Sequence, residues 1–443
     1  MRNLIFFISI FFLIDKCNAI TLINAFDDAY KSDAQLQSAR FALDAAKKEE
    51  DIGLSYLLPT LSFGGKVIKS TGVTDLDQNT ITGNKNYSSN NDYSSRSSTI
   101  TLRQPIFDLE RIALYNQGEI KSLIGEEQYL AEEQNFFSRL VENYFNVLKI
   151  QHEITLSEAQ QKSIEGLVKQ TKGLFNAGEG TITDIDEAQA RLDLILSQQI
   201  ELSAQLQNSQ RELANQIGQW PDSLMSSSEK IPENSLIKAD ENYSYWRDMA
   251  YRKSPIIAIR TATVSLAKYN LIQQKAGHTP KVAIAGQLSR TNIDQINSTQ
   301  DRTDKTIALT IDIPIYAGGG VNAYSQKSLA LLNKSQIDLD TARQQVTLDV
   351  ERYYLGVSSG WQKCKALLSA IRSNQKAVLS AEKGLQAGTR STIDVLDAQE
   401  RVFSAKRDLL NTKLTMLLSL VKLKVSIGEM NKNELQKIEN LLQ

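Results

Sequence analysis

Ala177-Gly178 with Thr183-Asp184-Ile185-Asp186-Glu187-Ala188-Gln189 returns, in order, as Ala387-Gly388 with Ile393-Asp394-Val395-Leu396-Asp397-Ala398-Gln399. The two copies lie about 210 residues apart, longer than a solenoid period, so the chain reads as one duplicated half. The match extends outward from these stretches. Ala29-Tyr30 corresponds to Ala250-Tyr251 and Pro59 to Pro280. Pro105-Ile106-Phe107 corresponds to Pro314-Ile315-Tyr316, and Tyr144-Phe145 to Tyr353-Tyr354. Ile217-Gly218 and Ile427-Gly428 close the two halves.

Proline placement says what the halves are made of. All seven prolines fall outside 106–220 and 315–443, and these stretches are rich in the strong helix formers Ala, Leu, Gln, Glu and Lys. Long helices are expected over 108 to about 175 and 320 to about 386, each roughly 100 Å at 1.5 Å per residue, a length that suits a crossing of the periplasm. Each is expected to reverse at Gly178 or Gly388 into a return helix, 182–218 or 392–428, with the glycines marking helical hairpin tips.

Between the helices the period changes to two. Val282, Ile284, Gly286 and Leu288 alternate with Ala283, Ala285 and Gln287, and Ile307, Leu309, Ile311 and Ile313 with Ala308, Thr310 and Asp312. In the first half Leu61, Phe63 and Val67 mark one strand, and Ile100 and Leu102, opposite Thr101 and Arg103, mark another. Four strands of about eight to ten residues with one apolar face have the length of tilted bilayer-spanning strands. Residues 70–97 and 290–306 are polar and read as solvated loops beyond them. Four strands cannot close a barrel, and open edges are not tolerated in lipid because unpaired backbone groups are costly there. Protomers joined edge to edge solve this, three of them giving a 12-stranded barrel, although the number three does not follow from periodicity.

The ends divide the chain further. Met1-Arg2-Asn3, the apolar run Leu4 to Leu13 and Asp15-Lys16-Cys17-Asn18-Ala19 have the order of a secretory signal, with cleavage expected after Ala19. Lipidation at Cys17 is disfavoured by the charged Asp15 and Lys16 before it. Once Cys17 leaves, Cys364 is the sole thiol and no intramolecular disulfide is possible. The expected division is a signal peptide over 1–19, a first repeat over 20–218, a polar proline-containing linker over 219–240, a second repeat over 241–428 and a C-terminal tail over 429–443. A formal net charge of -1 points to no nucleic-acid partner. His152 and His278 are far apart, with no metal-ligand spacing, and read as surface residues. No nucleophile elbow or cofactor fingerprint occurs, so no enzyme and no cofactor is expected. Ala317-Gly318-Gly319-Gly320 lacks the Lys-Ser/Thr pair of a phosphate loop and reads as the bend from strand to helix. Phe107 and Tyr316, just before the two bends, suit either an interfacial girdle or packing at the barrel base.

The order of elements resembles the TolC family of outer-membrane efflux and type I secretion channels over essentially the whole mature chain. The motifs carrying it are Leu57-Leu58-Pro59-Thr60-Leu61, Arg103-Gln104-Pro105-Ile106-Phe107-Asp108, and the two tips, Phe175-Asn176-Ala177-Gly178 and Gly388-Thr389-Arg390 with their downstream aspartates. The resemblance implies a homotrimer with a barrel in outer-membrane lipid, continuous with a coiled-coil periplasmic tunnel. It implies partners too: an inner-membrane ABC or proton-driven transporter and a periplasmic adaptor that grips the tips.

Asp394 and Asp397, three apart on a helix, share a face. In a trimer they are expected to form an acidic, cation-binding ring at the tunnel entrance, with some carboxyl pKa values raised by mutual repulsion. The plainer reading is that they complement a helix dipole. Arg390 is expected to pair across to Thr183 and Asp184 as a latch of the closed state. Leu385 stands where a well-known member has a tyrosine in that network, so the latch is incomplete. Gly178, Gly180, Gly388 and Thr389 are candidate adaptor contacts, the glycines serving also as hairpin turns. The competing reading is a secreted coiled-coil or filament subunit without a pore, which leaves the bilayer length and single apolar face of the strands unexplained.

Overall fold

The computed structural model describes residues 19–80, 83–90, 92–221, 223–225, 236–237, 242–295 and 298–442. Residues 1–18 of the expected signal, including Cys17, and most of the 219–240 linker lie outside these residues. The elements run α1 (Leu22–Ser32), α2 (Ala34–Ser55), β1 (Thr60–Ser70), β2 (Val73–Thr80), β3 (Gly83–Asn90), β4 (Tyr93–Phe107), α3 (Leu109–Asn176) and α4 (Ile182–Ile217). The second half follows with α5 (Tyr243–Lys253), α6 (Pro255–Lys275), β5 (Lys281–Gln295), β6 (Ser298–Asp312), α7 (Gly320–Gln386), α8 (Thr392–Ser426) and α9 (Lys432–Leu442). The two long proline-free stretches contain α3 and α7, helices of 68 and 67 residues. No described helix is long and apolar enough to cross a membrane.

The chain divides into two compact units. One comprises residues 42–127 and 258–342 and holds the strands. Four of them form an antiparallel sheet in the order β1-β4-β5-β6, leaving β1 and β6 as edges. Register aligns like with like, because directly opposed residues point to one face. Leu61 lies opposite Leu102, Phe63 opposite Ile100 and Ile100 opposite Leu288, while Ile284 faces Leu309 and Val282 faces Ile311. This face is uncovered in the single chain: Phe63 is 73% and Ile307 87% exposed. The other face is polar, with rows such as Ser62, Thr101, Gln287 and Thr306.

The stretches expected as loops are largely strand. Residues 70–97 hold the separate hairpin β2-β3 and the start of β4, while β5 and β6 continue in register through polar residues to Gln295 and Ser298. Ladder hydrogen bonds belong to the backbone, so Ser-, Thr- and Asn-rich segments extend a strand wherever the partner extends too. Loss of apolar alternation marks the end of the apolar face and not the end of the strand. At the other end of β4 the register slips between Pro105 and Phe107, where proline has no N–H to donate to the ladder.

The other unit comprises residues 1–41, 128–257 and 343–443. Its main core joins Leu22 and Phe26 of α1, Phe136, Leu140 and Tyr144 of α3, Leu213 of α4, Leu417 and Val421 of α8, and Leu435 and Ile438 of α9. Residues 432–442, within the expected C-terminal tail, thus form a packed helix. Its Glu439 carboxylate accepts the Ile23 N–H at 2.8 Å, satisfying a free donor at the start of α1. A second cluster, including Ile164, Val168, Ile195, Val395 and Leu396, lies near the hairpin tips, and Leu385 packs against it.

Candidate functional site: the hairpin tips

Both tips are built by the same two local devices. α3 ends with Gly178 at φ +81 and α7 with Gly388 at φ +68, conformations that favour glycine. The chain then turns back with Glu179 N–H donating to the Leu174 carbonyl at 2.9 Å and Thr389 N–H to the Gly384 carbonyl at 2.8 Å, the six-to-one bond of a glycine-terminated helix. Gly180 is required by space, since an added Cβ would lie 3.0 Å from the Phe175 nitrogen.

The return helices open with capping boxes. In the first, Thr181 Oγ1 donates to Asp184 Oδ2 at 2.6 Å and accepts the Asp184 N–H at 3.2 Å. In the second, Ser391 N–H and Oγ both donate to Asp394 Oδ2 at 2.9 Å. The Ser391 N–H, followed by its hydroxyl and then Arg390, holds the Asp394 carboxyl below its ordinary 3.8. Asp184 is lowered as well, first by the Thr181 hydroxyl and then by the Thr392 side chain of the other tip. Thr392 is buried.

Arg390 turns back on its own hairpin, its Nη1 donating to Asp394 Oδ1 at 3.3 Å, and makes no bond to Thr183 or Asp184 within the chain. Asp397 likewise has a cation partner, Arg191 of α4 at 3.3 Å. Within one chain the aspartates are therefore matched one for one by guanidiniums. In the single chain the Asp394 carboxyl is lowered and not raised, because its nearest groups are donors and a cation; the repulsion expected in a ring would come from neighbouring copies. A cleft of ≈ 680 Å³ between the tips brings together Gly180, Asp184, Gly388 and Arg390, with Glu179, Leu385 and Thr392 among its other walls. Thr183 and Thr389 are exposed and do not line it. Among the described residues no group of His, Cys, Asp or Glu is placed to hold a metal ion.

The family described as Outer membrane efflux protein matches residues 25–219 and 246–429, both halves of the duplication and both tips. The chain belongs to that family. The chain is 27% identical to the proteases secretion protein PrtF of Dickeya chrysanthemi over 428 residues, covering 96% of this chain and 91% of the relative. It is 25% identical to the outer membrane protein TolC of Vibrio cholerae over 426 residues, covering 95% and 93%. Its fold matches a crystal structure of CusC with a TM-score of 0.77 at 16% identity, covering 93% of this chain and 92% of that one. The TolC resemblance read from the strand-flanking motifs and the tips thus holds over nearly the whole chain. Its role is that of a channel-forming exit duct of the outer membrane and periplasm, and it is not an enzyme.

Sequence reading missed several residues of the tips. Thr181 and Ser391 were legible as capping boxes, since each stands three residues before an aspartate. Arg191 carried no local signal, because its partner Asp397 is 206 residues away. Gly384 is needed where the Arg390 stem folds over α7, as an added Cβ would meet Arg390 Cγ at 2.5 Å.

Proposed function

We propose that three copies of this chain form one exit duct, each lending its four-stranded sheet to a 12-stranded barrel in the outer membrane and its long helices to a periplasmic tunnel. The observation that carries this reading is the sheet itself. It has an uncovered apolar face, a polar face and two unpaired edges, β1 and β6, and joining β6 of one copy to β1 of the next removes every edge. A water-soluble filament subunit would have no use for a sheet face with Phe63 and Ile307 uncovered.

The cargo is a secreted polypeptide delivered by an inner-membrane ABC transporter, with a periplasmic adaptor gripping the tips at Gly178, Gly180, Gly388 and Thr389. Similarity to a protease secretion protein over nearly the full length of both chains supports this choice. The efflux family match supports small-molecule export through a proton-driven pump as the second reading. Asp394 and Asp397 line the entrance, and contacts between neighbouring copies in the closed state bring Arg390 to Thr183 and Asp184. Outside that latch Arg191 and Arg390 act as counter-ions that mask Asp397 and Asp394, and drawing Arg390 to the neighbouring copy unmasks Asp394.

Conductance of the purified protein in planar bilayers, with divalent cations titrated from the tip side, tests the duct and its entrance together. A trimeric, detergent-dependent particle that conducts supports the duct. Cation block should strengthen in Arg191→Ala and vanish in Asp397→Ala, and block unchanged by both refutes the acidic entrance. Folded, inserted trimers without any pore would refute the duct. Loss of an exported protein on deleting the gene, with unchanged drug sensitivity, selects polypeptide export over efflux.

A further inference from the structure

The apolar face of the sheet carries a feature that the duct reading does not use. Toward the hairpin ends of β4, β5 and β6 its apolar side chains give way, on the same face, to cations. Arg96 stands four residues before Ile100, Arg290 two after Leu288, and Lys305 two before Ile307. Leu288 pairs with Lys305, Arg290 with Ser98 and Thr303, and Arg96 with Asn292, so the three cations step diagonally across the sheet at successive rows. Diagonal neighbours of this kind lie roughly 7–8 Å apart, within reach of long side chains. All three are exposed.

No ion pair joins any of them to a carboxylate among the described residues. Two acids on this face adjoin them, Asp301 diagonal to Arg290 and Asp294 diagonal to Arg96, but Asp301 accepts the Asn292 side-chain amide and Asp294 the Thr299 hydroxyl, each at 2.8 Å. The polar face behaves differently, since Arg302 there is paired with Asp304 at 2.8 Å.

An Arg or Lys on the lipid side of a barrel is costly at mid-membrane and nearly free at the interface, so the diagonal marks the level at which hydrocarbon ends. Three cations that close together repel one another unless an anion sits among them. Phosphate is the matching anion, because guanidinium binds it bidentately and ammonium as a point charge. The apolar surface directly below, at Phe63, Ile100 and Leu288, makes the occupant an amphiphile. We propose that Arg96, Arg290 and Lys305 form a binding site for the phosphorylated head group of an outer-leaflet lipid whose acyl chains lie along that surface. This site rests on the barrel reading of the sheet.

Native mass spectrometry of the detergent-solubilised protein, titrated with bis-phosphorylated lipid A and separately with dephosphorylated lipid A, tests it. Wild type should bind the phosphorylated lipid, and the triple variant Arg96→Gln, Arg290→Gln, Lys305→Gln should bind it about 100-fold more weakly, as expected when three cations near an anionic surface are removed. Asp301→Asn, which removes one of the two adjoining negative charges, should bind about fivefold more tightly. Equal binding of dephosphorylated lipid, or equal affinity of the triple variant, overturns the site. Unchanged affinity of Asp301→Asn does so even if the triple variant fails to insert. Conductance in neutral phosphatidylcholine bilayers should be the same in wild type and variants. Wild type that binds lipid without conducting refutes the duct and leaves the lipid site standing, whereas conduction without phosphate-dependent binding does the reverse.

Discussion

The two halves of the duplication build the same hairpin tip and then part company in charge. Thr181 with Asp184 and Ser391 with Asp394 form matching capping boxes after glycines of positive φ. The residue before the cap is Gly180 in one half and Arg390 in the other. Asp184 is held low by Thr181 and by the nearby Thr392 side chain of the opposite tip, while Asp394 takes Arg390 from its own. Higher on the return helices Ser203 of α4 is exposed, whereas Lys413, the corresponding position of α8, is only 1% exposed. Lys413 Nζ donates to the Leu442 carbonyl of α9 at 3.3 Å, and burial draws its pKa from 10.5 down to about 8. Backbone devices are local and repeat with the sequence, whereas the state of a charge depends on what packs over it from elsewhere.

The largest expected difference between the halves is at Lys413. Between pH 8 and 10.5 the folded chain has shed a proton that the unfolded chain still holds, so stability rises with pH across that window. The full rise is up to about 3 kcal/mol at 1.36 kcal/mol per pKa unit. Denaturant midpoints of wild type should climb between pH 8 and 10 relative to Lys413→Met, and Ser203→Ala should follow wild type. Parallel curves for wild type and Lys413→Met would show that this ammonium is not desolvated.

The tips should respond alike to backbone changes. Gly178→Ala and Gly388→Ala each force a side chain into a left-handed conformation, costing about 1–2 kcal/mol. Hydrogen exchange should report comparable loosening of 174–184 and 384–394, and a one-sided response would break the equivalence of the two turns. Thr181→Ala and Ser391→Ala remove the caps and should cost about 1 kcal/mol each, confined to the first turn of α4 or α8.

Acid should loosen both tips together. The Asp184 and Asp394 carboxyls both lie below 3.8, so their stabilisation is complete above that value and is lost as pH falls beneath it. Tip exchange rates, corrected for intrinsic pH dependence, should be flat between pH 5 and 8 and rise below pH 3.8. The smallest effect on stability is expected for Arg390→Gln. Its pair with Asp394 is 61% and 39% exposed, and solvent screens such a pair strongly. Tip exchange should barely change while divalent block of the channel tightens. A large loss of tip stability would mean that the arginine is structural.

Much of the architecture is legible in the sequence. Absence of proline foretold α3 and α7, alternation over 282–288 and 307–311 foretold which face of the sheet is apolar, and Gly178 and Gly388 foretold the turns. These signals are carried by neighbours a few residues apart. Strand length was misread, because continuation of β5 and β6 past residue 289 depends on each having the other as partner. The same distance problem hid the Arg191–Asp397 pair and the cover that α9 places over Lys413. Leu385, read as a gap in a polar latch, packs against the apolar cluster near the tips, which residue identity at one position did not reveal.

Sequence by itself determined the duplication, the helix and strand classes, the apolar face and the turning points, since propensity, periodicity and positive φ act over one or two turns of chain. Tertiary structure alone decided which strands are neighbours, where they end, and which charges are paired, buried or left uncompensated. Those outcomes depend on desolvation and on partners hundreds of residues away, as Ile23 with Glu439 and Arg191 with Asp397 show.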